Sequence, residues 1–306
     1  MKNIFIVNPA AGSKDSSYAV EREILKISDK YDCEIYFTKY AGDATRYVSE
    51  YCKSHAEPLR FFSCGGDGTL NEVANGIVGF ENAAFGCYPC GSGNDFVKYY
   101  GGAESIESFL NVEKLLKGTE QLIDLIRIGD RYCVNICNFG FDAVAAKIMS
   151  KLKYNKIFGG SRAYYTGAAK ALFGSMKTHC RIEVDGEVLT DGDILLCTVA
   201  NGKYIGGSFL CAPRAENDDG YLDLCLVNPI SRLSFIKLVG LYKNGLHLDD
   251  KRCSSFIDYR RCKKLSIKGG KDFIYALDGE IYEIPEMEIE VVPKAVRFVV
   301  PQGLPY

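Results

Sequence analysis

The chain has 306 residues, 47% of them apolar, and a formal net charge of -2. This length and apolar content support a sizeable core shared between two domains better than one, and near-neutral charge argues against a general nucleic-acid binder, which carries a basic surplus. The 13 cysteines are odd in number and irregularly spaced, so they do not read as a disulfide framework but as reduced thiols; Cys64, Cys133 and Cys197 sit inside apolar runs as small hydrophobes.

Ile4-Phe5-Ile6-Val7 is a short apolar run ending at Asn8-Pro9, the pattern of a buried strand meeting a turn. Val20, Ile24, Ile27 and Tyr31 recur at helical spacing. Cys33–Phe37 reads as a second strand, and Asp43 opens a helix marked by Ala44, Tyr47, Val48 and Tyr51. Phe61–Cys64 is a third strand, Leu70, Val73, Ala74 and Ile77 a third helix, and Ala84–Tyr88 a fourth strand. This alternation predicts a parallel α/β domain. Near Gly118 the pattern changes. Leu125–Ile128 and Tyr132–Ile136 flank a Gly-Asp turn, and Asp185-Gly186 is a hairpin signal. Tyr221, Asp223, Cys225 and Val227 alternate with Leu222, Leu224 and Leu226. Runs at 264–268, 273–277, 288–292 and 296–300 are strand-like, and helical stretches fall near 142–175 and 231–245. The second region is therefore expected to be mostly antiparallel β, without repeats or a low-complexity linker.

Phosphate chemistry needs backbone N–H groups that approach oxygens closely, which glycine-rich turns at helix starts provide. Cys64-Gly65-Gly66-Asp67-Gly68-Thr69 lies between a strand and a helix, yet it is neither a Walker A loop nor a dinucleotide G-x-G-x-x-G. Taken alone it is equally a tight turn with an Asp/Thr cap. The longer run Gly65-Gly66-Asp67-Gly68-Thr69-Leu70-Asn71-Glu72-Val73 resembles the nucleotide signature of the diacylglycerol kinase catalytic family, which includes bacterial diacylglycerol kinases and sphingosine kinases and is related to the NAD kinases. The resemblance continues in the family's order. It runs through Asn8-Pro9-Ala10-Ala11-Gly12, Thr38 with Gly42-Asp43-Ala44, and Pro89-x-Gly91-Ser92-Gly93-Asn94-Asp95-Phe96. Further on it takes in Ala200-Asn201-Gly202 to Gly206-Gly207, Ala212-Pro213, Asp219-Gly220-Tyr221-Leu222-Asp223 and Asp278-Gly279-Glu280.

That resemblance implies a two-domain lipid kinase fold. Residues 1–121, with a returning tail at 294–306, would form the nucleotide-binding α/β domain. Residues 122–293 would form an antiparallel β-sandwich-like lipid-substrate domain. It also implies ATP as phosphate donor and Mg²⁺ as cofactor. Asn8, Gly12, Gly65, Gly66, Gly68, Thr69, Gly91, Ser92 and Asn94 are expected to cradle nucleotide, with Thr45 adding a hydroxyl. Ser92 stands where the family usually has Thr, which keeps the hydroxyl. Asp67 and Asp95 belong to a magnesium network, since a carboxylate repels phosphate but suits a hard cation; for Asp95 a helix N-cap stays open. Asp278 is expected to orient or deprotonate the acceptor hydroxyl, with Glu280 beside it; read without the family, Asp278-Gly279 is a hairpin turn. Glu216, Asp219 and the carbonyl of Tyr221 would form a second, structural magnesium site, the alternative being a solvated acidic turn. Cys87-x-x-Cys90 resembles a redox pair but precedes the phosphate loop, and His55, His179 and His247 form no cluster.

From Lys147 to Lys177 there are seven basic residues and no acidic one (Lys147, Lys151, Lys153, Lys156, Arg162, Lys170, Lys177), interleaved with Ile157-Phe158, Tyr164-Tyr165 and Leu172-Phe173. Anionic headgroups or an ordinary solvated helix pair account for this equally well. No signal-peptide pattern follows Met1, and no run reaches the roughly 20 apolar residues of a membrane span. The expected protein is cytoplasmic and peripheral to the inner face of the membrane. There it would transfer the γ-phosphate of ATP to a lipid hydroxyl, diacylglycerol giving phosphatidic acid. A soluble acceptor, as in NAD kinases, and a catalytically inactive lipid- or nucleotide-binding protein are the alternatives. The match beyond Gly202 favours the lipid branch, and intact Asp67, Asp95 and Asp278 argue for catalysis. A homodimer is left open.

Overall fold

The computed structural model describes residues 1–12, 17–152 and 170–305. Lys153, Lys156, Arg162, Ile157-Phe158 and Tyr164-Tyr165 of the basic segment, and the side chain of Lys151, lie outside the described residues. The chain divides into two units, Met1–Leu125 with Pro293–Tyr306, and Ile126–Val292.

The first unit opens with β1 (Lys2–Val7), α1 (Ser17–Leu25), β2 (Cys33–Phe37), α2 (Asp43–Ser54), β3 (Leu59–Gly65), α3 (Asp67–Ile77) and β4 (Ala83–Pro89). Two 3₁₀ turns and the short helices α4 (Ser105–Phe109) and α5 (Val112–Leu116) follow. The strands pair in parallel in the order β2-β1-β3-β4. Central β1 and β3 are apolar along most of their length because helices cover both faces of such a sheet, and Ile4, Phe5, Ile6, Phe61 and Phe62 are fully buried. Helix α1 stops at Leu25, short of the predicted periodicity, and Ile27 lies in the turn that follows.

The rest of the chain supplies β5 (Thr119–Ile128), β6 (Arg131–Cys133), β7 (Ile136–Gly140), α6 (Phe141–Leu152), β8 (Thr178–Val184), β9 (Glu187–Ile194) and β10 (Leu196–Ala200). After the two-residue strands β11 (Tyr204–Ile205) and β12 (Phe209–Leu210) come β13 (Leu222–Val227), α7 (Arg232–Lys243), β14 (Ile257–Cys262), β15 (Lys264–Gly269), β16 (Ile274–Leu277), β17 (Glu280–Glu283) and β18 (Glu286–Val300). Within the second unit one antiparallel sheet runs β14-β13-β10-β7-β16-β17, and β9-β8-β15 with residues 286–290 of β18 form another. Phe139, Val199, Leu224 and Tyr275 of the first share one core with Ile182, Leu265, Ile267 and Ile289 of the second, the arrangement of a β-sandwich. Cys133, Cys137, Cys180, Cys197 and Cys262 belong to that core, and all 13 cysteines are free thiols.

Two predicted elements change on folding. The runs at 288–292 and 296–300 are one strand, because Lys294 takes a left-handed conformation (φ 50°) and its N–H is taken by Asp124 Oδ1 at 2.7 Å, so the chain bends without ending. Residues 297–298 then pair in parallel with β4, and Phe298 is buried among Phe85, Phe96, Tyr100 and Phe109. Strand β13 shows no exposed face. Leu222, Leu224 and Leu226 enter the sandwich core, whereas Cys225 and Val227 face a second cluster that includes Phe141, Ala145, Phe235 and Tyr242. Asp185-Gly186 is the expected turn, and the Asp185 carboxylate accepts the N–H groups of Lys263 and Lys264.

His247 is 2% exposed, its ring 4.8 Å from that of Tyr242, and burial pulls its pKa down to about 4. The folded pKa lies below the unfolded value, so this contribution is complete above about pH 6.5 and is lost as pH falls from there towards about 4. At pH 5 the loss is about 2 kcal/mol. The urea midpoint is therefore expected to fall between pH 7 and pH 5, and His247→Phe to flatten the slope by that amount; parallel profiles would show that the ring does not stay neutral.

Candidate active site

In the first unit the site is built where β1, β3 and β4 end. Asn8 follows β1. Its Oδ1 accepts the N–H of Ala10 at 3.0 Å, and its Nδ2 donates to Thr69 Oγ1 at 2.9 Å, which ties the first loop to the first turn of α3. Gly12 is left-handed (φ 77°). Gly66 precedes α3 in extended conformation and brings no side chain to cap it; the N–H groups of a helix's first turn suit an anion. A Cβ at Gly66 would lie 3.2 Å from Gly91 Cα, and one at Gly91 would fall inside contact distance of Gly66. The two glycine loops thus lie back to back, closer than any side chain permits.

Asp67 and Asp95 come together across that junction. Asp67 Oδ1 accepts the N–H of Asp95 at 2.7 Å and of Phe96 at 3.3 Å, so it caps the following 3₁₀ turn. Asp95 Oδ1 accepts from Lys98 Nζ at 2.9 Å, and the same ammonium donates to Gly93 O at 2.7 Å. Asn94 is left-handed and closes its own loop on Gly91 through two hydrogen bonds. A Cβ at Gly93 would lie 2.9 Å from Asp67 Oδ2 and 3.4 Å from Asp95 Oδ2. Both Oδ2 atoms therefore face one small space kept open by glycine, and hard carboxylate oxygens around a cradle of this kind fit Mg²⁺. Gly68 stands in the same turn, and Ser92 is exposed at the neighbouring loop.

Thr45 is not part of this cluster: its hydroxyl donates to Glu72 O at 2.8 Å. Glu72 in turn accepts the N–H groups of Gly42 and Ala44, so the two residues join α2 to α3. That capping role of Glu72 went unread in the sequence, although a carboxylate suits an uncapped helix start.

In the second unit Asp278 and Gly279, at φ 46° and 87°, make the two-residue turn between β16 and β17. The carboxylate bends back to the gap between β6 and β7. Its Oδ1 accepts from the Cys133 thiol and the N–H groups of Asn135 and Ile136, all at 3.0–3.1 Å, and Oδ2 accepts from Val134 N–H at 3.0 Å. Burial pushes the Asp278 carboxyl above its ordinary value, opposed by these donors, which favour the anion. The turn and the functional reading of Asp278 thus share one geometry. Glu280 is exposed and accepts from Tyr282 OH at 2.9 Å.

The acidic stretch borders a cavity of about 350 Å³ lined by Arg214, Glu216, Asp219, Asp223, Tyr259, Arg260 and Arg261. Asp219 accepts the N–H of Tyr221 at 2.9 Å and is paired with Arg261, whose guanidinium lies over the Tyr221 ring at 4.4 Å. Among the described residues no group of three or more His, Cys, Asp or Glu is gathered closely enough to hold a metal. The donor type nevertheless fits magnesium. Asp223 is 1% exposed, its Oδ1 takes Tyr259 OH at 2.5 Å, and its Oδ2 has no hydrogen-bond partner among the described residues. Burial pushes the Asp223 carboxyl up, as expected for an anion short of donors. In the sequence Asp223 stands in a family motif and in an alternating strand, and neither gives it a role.

Because Gly66 and Gly91 meet backbone to backbone, Gly66→Val is expected to part the loops and weaken nucleotide binding at least tenfold in a folded protein, read by calorimetric titration and circular dichroism. Unchanged affinity would remove the loops from the binding site.

The comparisons with known proteins agree along the chain. Residues 2–128 match the diacylglycerol kinase catalytic domain, and residues 135–300 match the YegS C-terminal NAD kinase beta sandwich-like domain. The chain is 28% identical to a diacylglycerol kinase of Bacillus subtilis (strain 168) over 279 residues, 90% of this chain and 88% of that one. It is 28% identical over 305 residues to a YegS-like lipid kinase of Shewanella frigidimarina, 96% and 93% of the two chains. A solved diacylglycerol kinase of Bacillus anthracis str. Sterne superposes with a TM-score of 0.70 at 23% identity, covering 99% of this chain and 98% of the other, and so shares the fold. With both domain models matched in order, the chain belongs to the diacylglycerol kinase and YegS family of lipid kinases and is a phosphotransferase.

Proposed function

We propose that this lipid kinase transfers the γ-phosphate of Mg²⁺-bound ATP to the free hydroxyl of diacylglycerol, giving phosphatidic acid. The observation that carries the reading is the convergence of Asp67 and Asp95 Oδ2 on the space beside Gly93, at the uncapped start of α3. Backbone N–H groups there suit phosphate oxygens, and Asn8, Gly12, Gly65, Gly66, Gly68, Thr69, Gly91, Ser92 and Asn94 form or brace the cradle. Bound Mg²⁺ would offset the charge on the transferring phosphoryl group. Asp67, Asp95 and Lys98 keep the carboxylates oriented for it.

Asp278 would act on the acceptor hydroxyl. Oδ1 is filled by three donors, whereas Oδ2 takes one and has a lone pair left for an incoming proton. The four donors hold the group still, and positioning counts for more than full deprotonation in a loose phosphoryl-transfer transition state. Names of relatives support diacylglycerol as acceptor, and the name of the YegS-like relative specifies no lipid, which leaves another lipid acceptor as the second reading. γ-Labelled ATP with mixed micelles of diacylglycerol, monoacylglycerol, sphingosine or undecaprenol, and with NAD, tests this. Label in phosphatidic acid is expected, label in another lipid moves the acceptor, and label in NAD alone overturns the reading.

Asp278→Asn is expected to lower kcat by about 10² to 10⁴ with little change in nucleotide affinity. The substitution is not structurally silent, because its NH₂ would face the Val134 N–H, so thermal unfolding is measured alongside. Glu280→Gln should cost less, and the Asp67→Asn defect should be partly offset by raised Mg²⁺. Near wild-type kcat for Asp278→Asn would reduce Asp278 to a turn residue. For the second cation site, Mg²⁺ is expected to raise the melting temperature of the wild type more than that of Asp219→Ala, which keeps the Asp67–Asp95 site; equal responses would leave the Asp219–Arg261 pair as an ordinary ion pair.

A further inference from the structure

Helix α7 has no buried residue, although most of its sequence is apolar. Its inner side is half-buried: Phe235 meets Phe141 with ring centroids 4.9 Å apart, and Tyr242 packs on the same cluster. The opposite side is a stripe at helical spacing, Leu233, Ile236, Lys237 and Gly240, with Lys243 beyond. Leu233 is 71% and Ile236 56% exposed. Arg232 donates to Leu172 O at 2.8 Å and Gly174 O at 2.9 Å, which holds Phe173, 86% exposed, beside the start of the helix. Single exposed apolar residues are ordinary, but two large ones on one stripe with a third beside it mark an interaction surface.

The charge around the stripe identifies its partner. Lys170, Arg232, Lys237 and Lys243 are exposed, and neither 170–177 nor 231–248 contains an acidic residue. A second copy docked through the same face by two-fold symmetry would set these cations against themselves, with no carboxylate on the stripe to pair them. An anionic bilayer satisfies both features, taking aliphatic and aromatic side chains at the headgroup boundary and attracting the cations.

We infer that the Leu233–Ile236 stripe of α7, with Phe173, is the surface by which the second unit docks on an anionic lipid bilayer. The inference rests on the lipid-acceptor reading above and gives it a location on the chain. Docking is separable from catalysis, because none of these residues belongs to the candidate site.

The test is co-sedimentation of the full chain with phosphatidylcholine vesicles and with equimolar phosphatidylcholine–phosphatidylglycerol vesicles, beside activity on the accepted lipid in detergent micelles. The wild type is expected to prefer the anionic vesicles. Leu233→Gln/Ile236→Gln should weaken that binding at least tenfold, and Lys237→Gln about fivefold on anionic vesicles only. Both variants should keep the wild-type melting temperature and micellar activity. Wild-type vesicle binding in the double variant, or no wild-type binding to anionic vesicles, overturns the inference. So does a wild-type dimer that the double variant dissociates while vesicle binding is unchanged, since the stripe then serves a second copy. If the wild type labels no lipid but the double variant still loses vesicle binding, the docking surface stands and the acceptor reading falls.

Discussion

The candidate site in the first unit depends on one close approach, that of the backbone at Gly66 to the backbone at Gly91. A Cβ at Gly91 would fall inside contact distance of Gly66, and one at Gly66 would press on Gly91 Cα at 3.2 Å. Their contact brings the end of β3 and the end of β4 to one place. It leaves the start of α3 uncapped, and it lets Asp67 reach the N–H groups of Asp95 and Phe96. A carboxylate that would repel phosphate is thereby turned aside to brace the second loop, with its other oxygen facing the space beside Gly93. Glycine serves here through the absence of a side chain, which allows backbone to face backbone.

The second unit meets a comparable demand with a carboxylate. Between β6 and β7 the N–H groups of Val134, Asn135 and Ile136 turn away from strand partners, and orphaned donors of this kind are costly. Asp278, projecting from a tight turn, accepts all three. The same bonds hold it rigid, and rigidity is what the proposed action on an acceptor hydroxyl requires. Structural and chemical readings of Asp278 therefore do not compete.

Much of this was legible in the chain itself. Each glycine loop falls where a strand hands over to a helix or turn, and the order of motifs carried the family. Side chains whose partners are distant in sequence were not legible. Thr45 looked like a phosphate contact and instead bonds Glu72 O, 27 residues away. Asp223 looked like the polar half of an alternating strand and is a buried carboxylate on Tyr259, 36 residues on. The runs at 288–292 and 296–300 read as two strands, whereas Asp124, 170 residues before Lys294, supplies the acceptor that carries one strand through.

Local chemistry alone determined the element types, the parallel and antiparallel halves, the reduced thiols and the family. These follow from periodicity, turn residues and motif order, all of which act over a few neighbouring residues. Tertiary structure alone decided which carboxylates face open space and which are spent on backbone N–H groups, and that Arg261 sits on Asp219. It also decided that one side of an apolar helix stays in solvent. Burial and pairing depend on what the rest of the chain brings alongside, and a one-dimensional pattern does not carry that information.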